Sequence, residues 1–122
     1  MENKEFVFII SHSVDEPERA AAALQLASNM LAFDAKIDFF LMLRGVHLAR
    51  KDFADTITWQ HSFSPLKELI KTVTEDFGCR FYVCASCVEP EGIKDVALID
   101  NAEIKPGSYL GELLMSRQNV SF

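Results

Sequence analysis

Cys84-Ala85-Ser86-Cys87 sets two thiols three positions apart, and three chemistries use such a pair. A structural zinc site needs four ligands in tetrahedral array. Cys79, His12, His47 and His61 fall at spacings that do not complete one, so no metal and no cofactor is expected. A dithiol–disulfide couple works best where a strand runs into the N-terminus of a long helix, whose dipole and free N–H groups stabilise a thiolate. Pro90 and Gly92 keep the helix after Cys87 short. Sulfur carriage asks for less: one activated thiolate attacks a sulfane sulfur, holds it as a persulfide and yields it to another thiolate. His12, Arg44 and His47 are candidate substrate-binding residues for that chemistry, because inward-pointing cations would lower a thiol pKa or bind an anionic donor.

Positioning these residues calls for strands and helices in alternation. Phe6–Ile10 is a continuous apolar run, as expected of a strand covered on both faces. Ser13 and Asp15 stand at capping-box spacing from Glu16 and Glu18, with Pro17 in the first turn, so a helix is expected from Glu18 to about Phe33. Its Ala20, Ala23, Leu24, Ala27 and Leu31 share one face. Lys36–Leu43 reads as a second strand, and Arg44–Leu48 as the opening of a short helix. Residues 49–63 lack a period and read as a long loop with at most a helical turn. Ser64-Pro65 reads as N-cap and first helical residue, followed by Leu66, Leu69, Ile70, Val73 and Phe77 at helical spacing up to Gly78. Cys79–Cys84 is the third strand, and Ala85–Gly92 a turn into a poorly formed helix. Beyond it we expect a helical turn over Asp95–Ile99, a short strand at Ala102–Ile104, a helix over Ser108–Arg117 and a last strand at Val120–Phe122.

This alternation predicts an α/β fold, three-layered α/β/α around a mostly parallel sheet of about five strands. In such sheets ligands bind beyond the carboxyl ends of the strands. Ser11-His12-Ser13, Arg44-Gly45-Val46-His47 and Cys84–Cys87 all fall at that edge. The chain has 122 residues, which suits one domain over 1–122, and 49% are hydrophobic, enough for a core without disulfides. A formal charge of −6 argues against direct nucleic-acid binding. The polar start and the short apolar run after it give neither a signal sequence nor a membrane span, so a cytoplasmic chain with reduced thiols is expected.

The segment Val83-Cys84-Ala85-Ser86-Cys87-Val88-Glu89-Pro90-Glu91-Gly92-Ile93 resembles the DsrE/DsrF-like (YchN/TusD-like) sulfur-relay family. The family pattern is an apolar strand, Cys, two small residues, Cys or Ala, a few variable residues, then Gly with an aliphatic residue. Gly45-Val46, Leu98-Ile99-Asp100, Ala102-Glu103-Ile104 and Val120-Ser121-Phe122 are similar to other parts of the family, so the likeness covers most of the chain. It implies that Cys84 is the sulfur-accepting cysteine and that Cys87 is a second acceptor or resolving thiol. It also implies sulfur donor and acceptor proteins, or small sulfur compounds, as partners, and a homo- or hetero-oligomer. Cys79 matches no family motif and reads as a buried strand residue. Where the family usually has a basic residue before the glycine, this chain has Glu91, which points to a different donor or partner.

Two other readings of the same fold stand beside the relay. One is a non-catalytic oligomeric binding or scaffold module, with Phe53, Trp59 and Phe63 as interface anchors. The other is a Cys84/Cys87 dithiol–disulfide oxidoreductase. Rapid alkylation of a folded-state cysteine speaks against the first, and the lack of a reversible disulfide against the second.

Overall fold

The structure is a computed structural model that describes residues 4–57 and 65–122. Five strands form one sheet in the order β4-β3-β2-β1-β5, and every pairing is parallel. They are β1 (Glu5–Ile10), β2 (Lys36–Leu41), β3 (Phe81–Cys84), β4 (Ala102–Lys105) and β5 (Gln118–Ser121). The helices are α1 (Pro17–Leu31), α2 (Leu66–Lys71), the one-turn α3 (Ala85–Val88) and α4 (Gly107–Ser116). From β1 the chain steps along the sheet to β4, then returns through α4 to lay β5 on the far side of β1. Because such crossovers are right-handed, the return puts α4 on the face opposite α1 and α2, which pack together.

Side-chain alternation sorts the core onto these faces. Phe8, Phe39 and Phe81 stand in register on adjacent strands, with edge-to-face ring contacts at 5.7 Å and 5.0 Å. Tyr82 points the other way and meets Tyr109 of α4, ring centroids 4.8 Å apart. On α1, Ala20, Ala23, Leu24, Ala27 and Leu31 are all buried, as their spacing predicts, and Ala21 joins them. The small alanines let the helix lie close to the sheet.

Several local expectations are corrected. No side chain caps α1: Glu16 is the cap residue, while Ser13 is wholly buried and its hydroxyl donates to the Arg44 carbonyl. The second strand ends at Leu41, and Leu43–Ala49 winds into a 3-10 segment, with another at Phe53–Thr56 in the expected loop. Phe53 is 1% exposed, with the Arg50 guanidinium 5.2 Å from its ring centroid, so it packs inside rather than standing ready for a partner. Trp59, His61, Phe63 and Ser64 lie outside the described residues.

Pro65, not Ser64, occupies the cap position of α2. That helix then widens into a π-helical turn at Thr72–Asp76. The wider turn places Thr74 inside, its hydroxyl donating to the Ile70 carbonyl, and rotates Phe77 out to 47% exposure. Over Asp95–Ile99 there is no full helical turn, because the backbone pairs instead with the end of the first 3-10 segment. Lys51 N–H donates to Ala97 O, Ile99 N–H donates to Ala49 O, and Leu98 bridges Arg50. Among the described residues no helix is long and apolar enough to cross a membrane.

Candidate functional site

The three expected segments do meet at the carboxyl ends of the strands, and backbone contacts hold them there. Met42 N–H donates to Ile10 O at 3.0 Å, so the chain leaving β2 passes directly over the end of β1. Gly45 makes that crossing possible: a Cβ there would lie 2.1 Å from Ile10 O, inside any allowed contact. The Ser13 hydroxyl bond to Arg44 O ties the β1–α1 loop to the same segment.

Leu43 links this segment to the thiols. Its φ is 51°, a left-handed conformation unusual for a bulky residue, and in it the Leu43 N–H donates to Cys87 Sγ at 3.2 Å. Backbone strain of this kind persists only where surrounding structure enforces it, and it concentrates at functional sites. Cys84 closes β3, and Cys87 lies in the single turn of α3 that follows.

Both thiols are largely covered, Cys84 at 7% exposure and Cys87 at 9%. The two thiols are therefore a sheltered pair rather than an exposed one. Burial pushes the Cys87 thiol above its ordinary pKa, and the Leu43 N–H only partly offsets this. A hydrogen bond with Cys84 and the negative charge of Glu91 act in the same direction as burial. Cys87 thus favours its neutral thiol form.

His12, Arg44 and His47 all reach the rim, but each is bound to a carboxylate. His12 Nδ1 lies 2.7 Å from Asp15 Oδ2 and 3.2 Å from Glu16 Oε2. Arg44 lies 3.9 Å from Asp15 Oδ2 and 3.7 Å from Glu91 Oε2. His47 Nε2 lies 3.1 Å from Glu91 Oε1, while its Nδ1 is buried with no hydrogen-bond partner among the described residues. Burial alone would raise the Asp15 carboxyl, but bonds from the His12 ring and the Ser13 and Asp15 amides hold it down to about 2. His12, Asp15 and Glu16 form the one group among the described residues with metal-type ligand atoms within 4.8 Å of each other. Their polar atoms already satisfy one another, with Arg44 alongside.

Asp15, Glu16 and Glu91 are the residues that sequence reasoning missed as partners of this rim. The signal for Glu91 was its place four residues after Cys87, where a turn brings it back beside the thiols. A cavity of about 430 Å³ lies elsewhere, lined by Arg50, Lys51, Lys71 and Asn101 among others and by none of the cysteines. Cys79 stands at the opposite end of β3, 3% exposed, its thiol pushed up to about 12 by burial and by the nearby Asp38 charge.

Comparison with known proteins identifies the fold and the family. The chain is 29% identical over 115 residues to MJ0989 of Methanocaldococcus jannaschii, an uncharacterised protein, spanning 94% of this chain and 96% of the relative. The fold is that of the ychN protein from E. coli, with a TM-score of 0.74 at 18% identity over 99% of this chain and all of the other. It is also that of MTH1491 from Methanobacterium thermoautotrophicum, a protein of unknown function, with a TM-score of 0.69 at 15% identity over 97% and 98% of the two chains. The profile of the DsrE/DsrF-like family, known in general for sulfur relay, matches residues 4–119. The chain belongs to the DsrE/DsrF-like family.

Proposed function

We propose that this DsrE/DsrF-like protein is a cytoplasmic sulfur carrier in which the Cys84 thiolate accepts sulfane sulfur, holds it as a persulfide and passes it to a partner. The observation that carries this reading is the sheltered Cys84/Cys87 pair at the end of β3, with the left-handed Leu43 aiming its N–H at Cys87 Sγ. Cys84 forms a bond to the donor's outer sulfur, that sulfur's bond to the donor breaks, and the electron pair leaves with the donor. Transfer onward repeats the exchange, with the Cys84 thiolate as leaving group. Cys87 is held as a neutral thiol. It stands by as second acceptor or resolving thiol.

Shelter suits a persulfide, since water, oxidants and stray thiols destroy an exposed one. The same shelter requires that donor and acceptor engage the rim directly, which fits partner proteins, or a second subunit, better than free diffusion of small sulfur compounds. Reduced protein treated with the persulfide of 2-mercaptoethanol and measured by intact mass is expected to gain sulfur. The gain should vanish in Cys84→Ser and remain in Cys87→Ser. Absence of any sulfur adduct on the wild-type protein overturns the reading.

One observation favours a second reading: Cys84 immediately precedes the single turn of α3 and Cys87 sits in that turn, the close spacing that a dithiol–disulfide couple needs. A redox titration with peptide mapping decides it. A reversible Cys84–Cys87 disulfide supports that couple, and its absence at oxidising potentials removes it.

A further inference from the structure

We infer that Glu91 is a specificity-determining residue that turns the thiol rim away from small dianionic sulfur donors, such as thiosulfate, and toward persulfides carried on an uncharged thiol. The inference rests on the sulfur-carrier reading above. Glu91 is fixed in place: its backbone N–H donates to Cys87 O at 3.0 Å, and its side chain is only 17% exposed. From that position one carboxylate oxygen takes the His47 Nε2 contact at 3.1 Å, and the other faces the Arg44 guanidinium at 3.7 Å. The carboxylate thus occupies the place that an anionic donor would take between these two side chains. Arg44 also faces Asp15, so three carboxylates, Asp15, Glu16 and Glu91, surround one guanidinium and two imidazoles. Among the described residues these rim side chains each have a carboxylate partner already, as does Lys105, in register with Cys84, whose ammonium pairs with Glu103 at 2.8 Å.

The two donor classes differ in what must leave. With thiosulfate, the Cys84 thiolate attacks the outer sulfur, the S–S bond to the oxidised sulfur breaks, and sulfite leaves with the electron pair and both negative charges. With a persulfide, the same attack on the terminal sulfur releases a thiolate. A dianion brought within about 5 Å of a fixed carboxylate is opposed strongly enough, at the effective dielectric of a protein surface, to slow its approach about tenfold or more.

The test measures initial rates of sulfur loading on Cys84 by mass, with thiosulfate and with the persulfide of 2-mercaptoethanol as donors. In Glu91→Gln the ratio of the thiosulfate rate to the persulfide rate should rise about tenfold or more. In Arg44→Gln, which leaves the Glu91 charge without its guanidinium, the ratio should fall. The opposite signs keep the test decisive even if one variant is poorly folded. A ratio unchanged in both variants, or no thiosulfate loading in any of them, overturns the role of Glu91. Failure of the wild-type protein to load from either donor overturns the sulfur-carrier reading itself.

Discussion

The two ends of β3 carry the same residue type in different surroundings. At the entrance, Cys79 is enclosed: its N–H donates to Val73 O, and its carbonyl takes a bond from Asn101 Nδ2. Asp38 beside it is fully engaged, accepting from Arg80 N–H at 2.9 Å and pairing with Arg117 at 3.0 Å. Every polar group there is matched to another, and the thiol, pushed up to about 12, is left as a small apolar filler. At the exit, the Cys84/Cys87 pair is nearly as well covered, yet the surroundings are strained and charged: a left-handed Leu43, a glycine pressed on a carbonyl, and a carboxylate among cationic side chains. Burial therefore does not separate Cys79 from the pair proposed to carry sulfur. The charged groups are paired with one another at both ends; the difference is that at the exit a backbone N–H, that of the left-handed Leu43, is directed at a sulfur.

Substitutions can break that contrast. The largest effect is expected from Cys84→Ser, which should abolish sulfur loading, whereas Cys79→Ala should leave it intact. Equal loss in both would erase the distinction between the two ends. Gly45→Ala forces a methyl against Ile10 O and should destabilise the protein by about 3 kcal/mol in urea unfolding, because backbone rather than a yielding side chain is in the way. A smaller cost would show that the crossing over β1 is looser than its geometry implies. Cys79→Ala, losing one buried sulfur, should cost about 1 kcal/mol.

The smallest effect is confined to acid. The Asp15 carboxyl titrates at about 2 in the folded chain against an ordinary 3.8, so its bonds stabilise the fold above about pH 4, and that contribution is lost as pH falls through about 2. Wild-type and Asp15→Asn proteins should accordingly differ in urea midpoint at pH 5 and converge near pH 2. A difference that persists at the lower pH would mean that Asp15 acts through something other than its charge.

How much of this was legible in the sequence depends on whether a feature is periodic. The alternation of apolar strands and amphipathic helices sufficed for the α/β layers, the five parallel strands and the rim, since each is set by a repeating burial pattern. The π-helical turn at Thr72–Asp76 was hidden because one inserted residue shifts the phase without altering composition, and Phe77 moved outward with it. Strand order was likewise silent, being fixed by packing between distant segments. At the site, Cys84 and Cys87 were readable from spacing, and His12, Arg44 and His47 from their position after strands. Their carboxylate partners were not. Asp15 and Glu16 stand only three and four positions after His12 but read as helix-capping residues, whereas Glu91 meets Arg44 and His47 only once the chain has folded back across 44 to 47 positions. Charge pairing over such distances leaves no local signature.

The central claim is that sulfur chemistry belongs to one end of β3 and to Cys84 within it. Peptide mapping of alkylator-trapped protein treated with the persulfide of 2-mercaptoethanol tests this most directly, because cleavage after Arg80 separates Cys79 from the other two thiols. The account predicts extra sulfur on the peptide beginning at Phe81, with fragment ions placing it on Cys84, and none on the peptide ending at Arg80. Sulfur found equally on Cys79, or on none of the three cysteines, would contradict it.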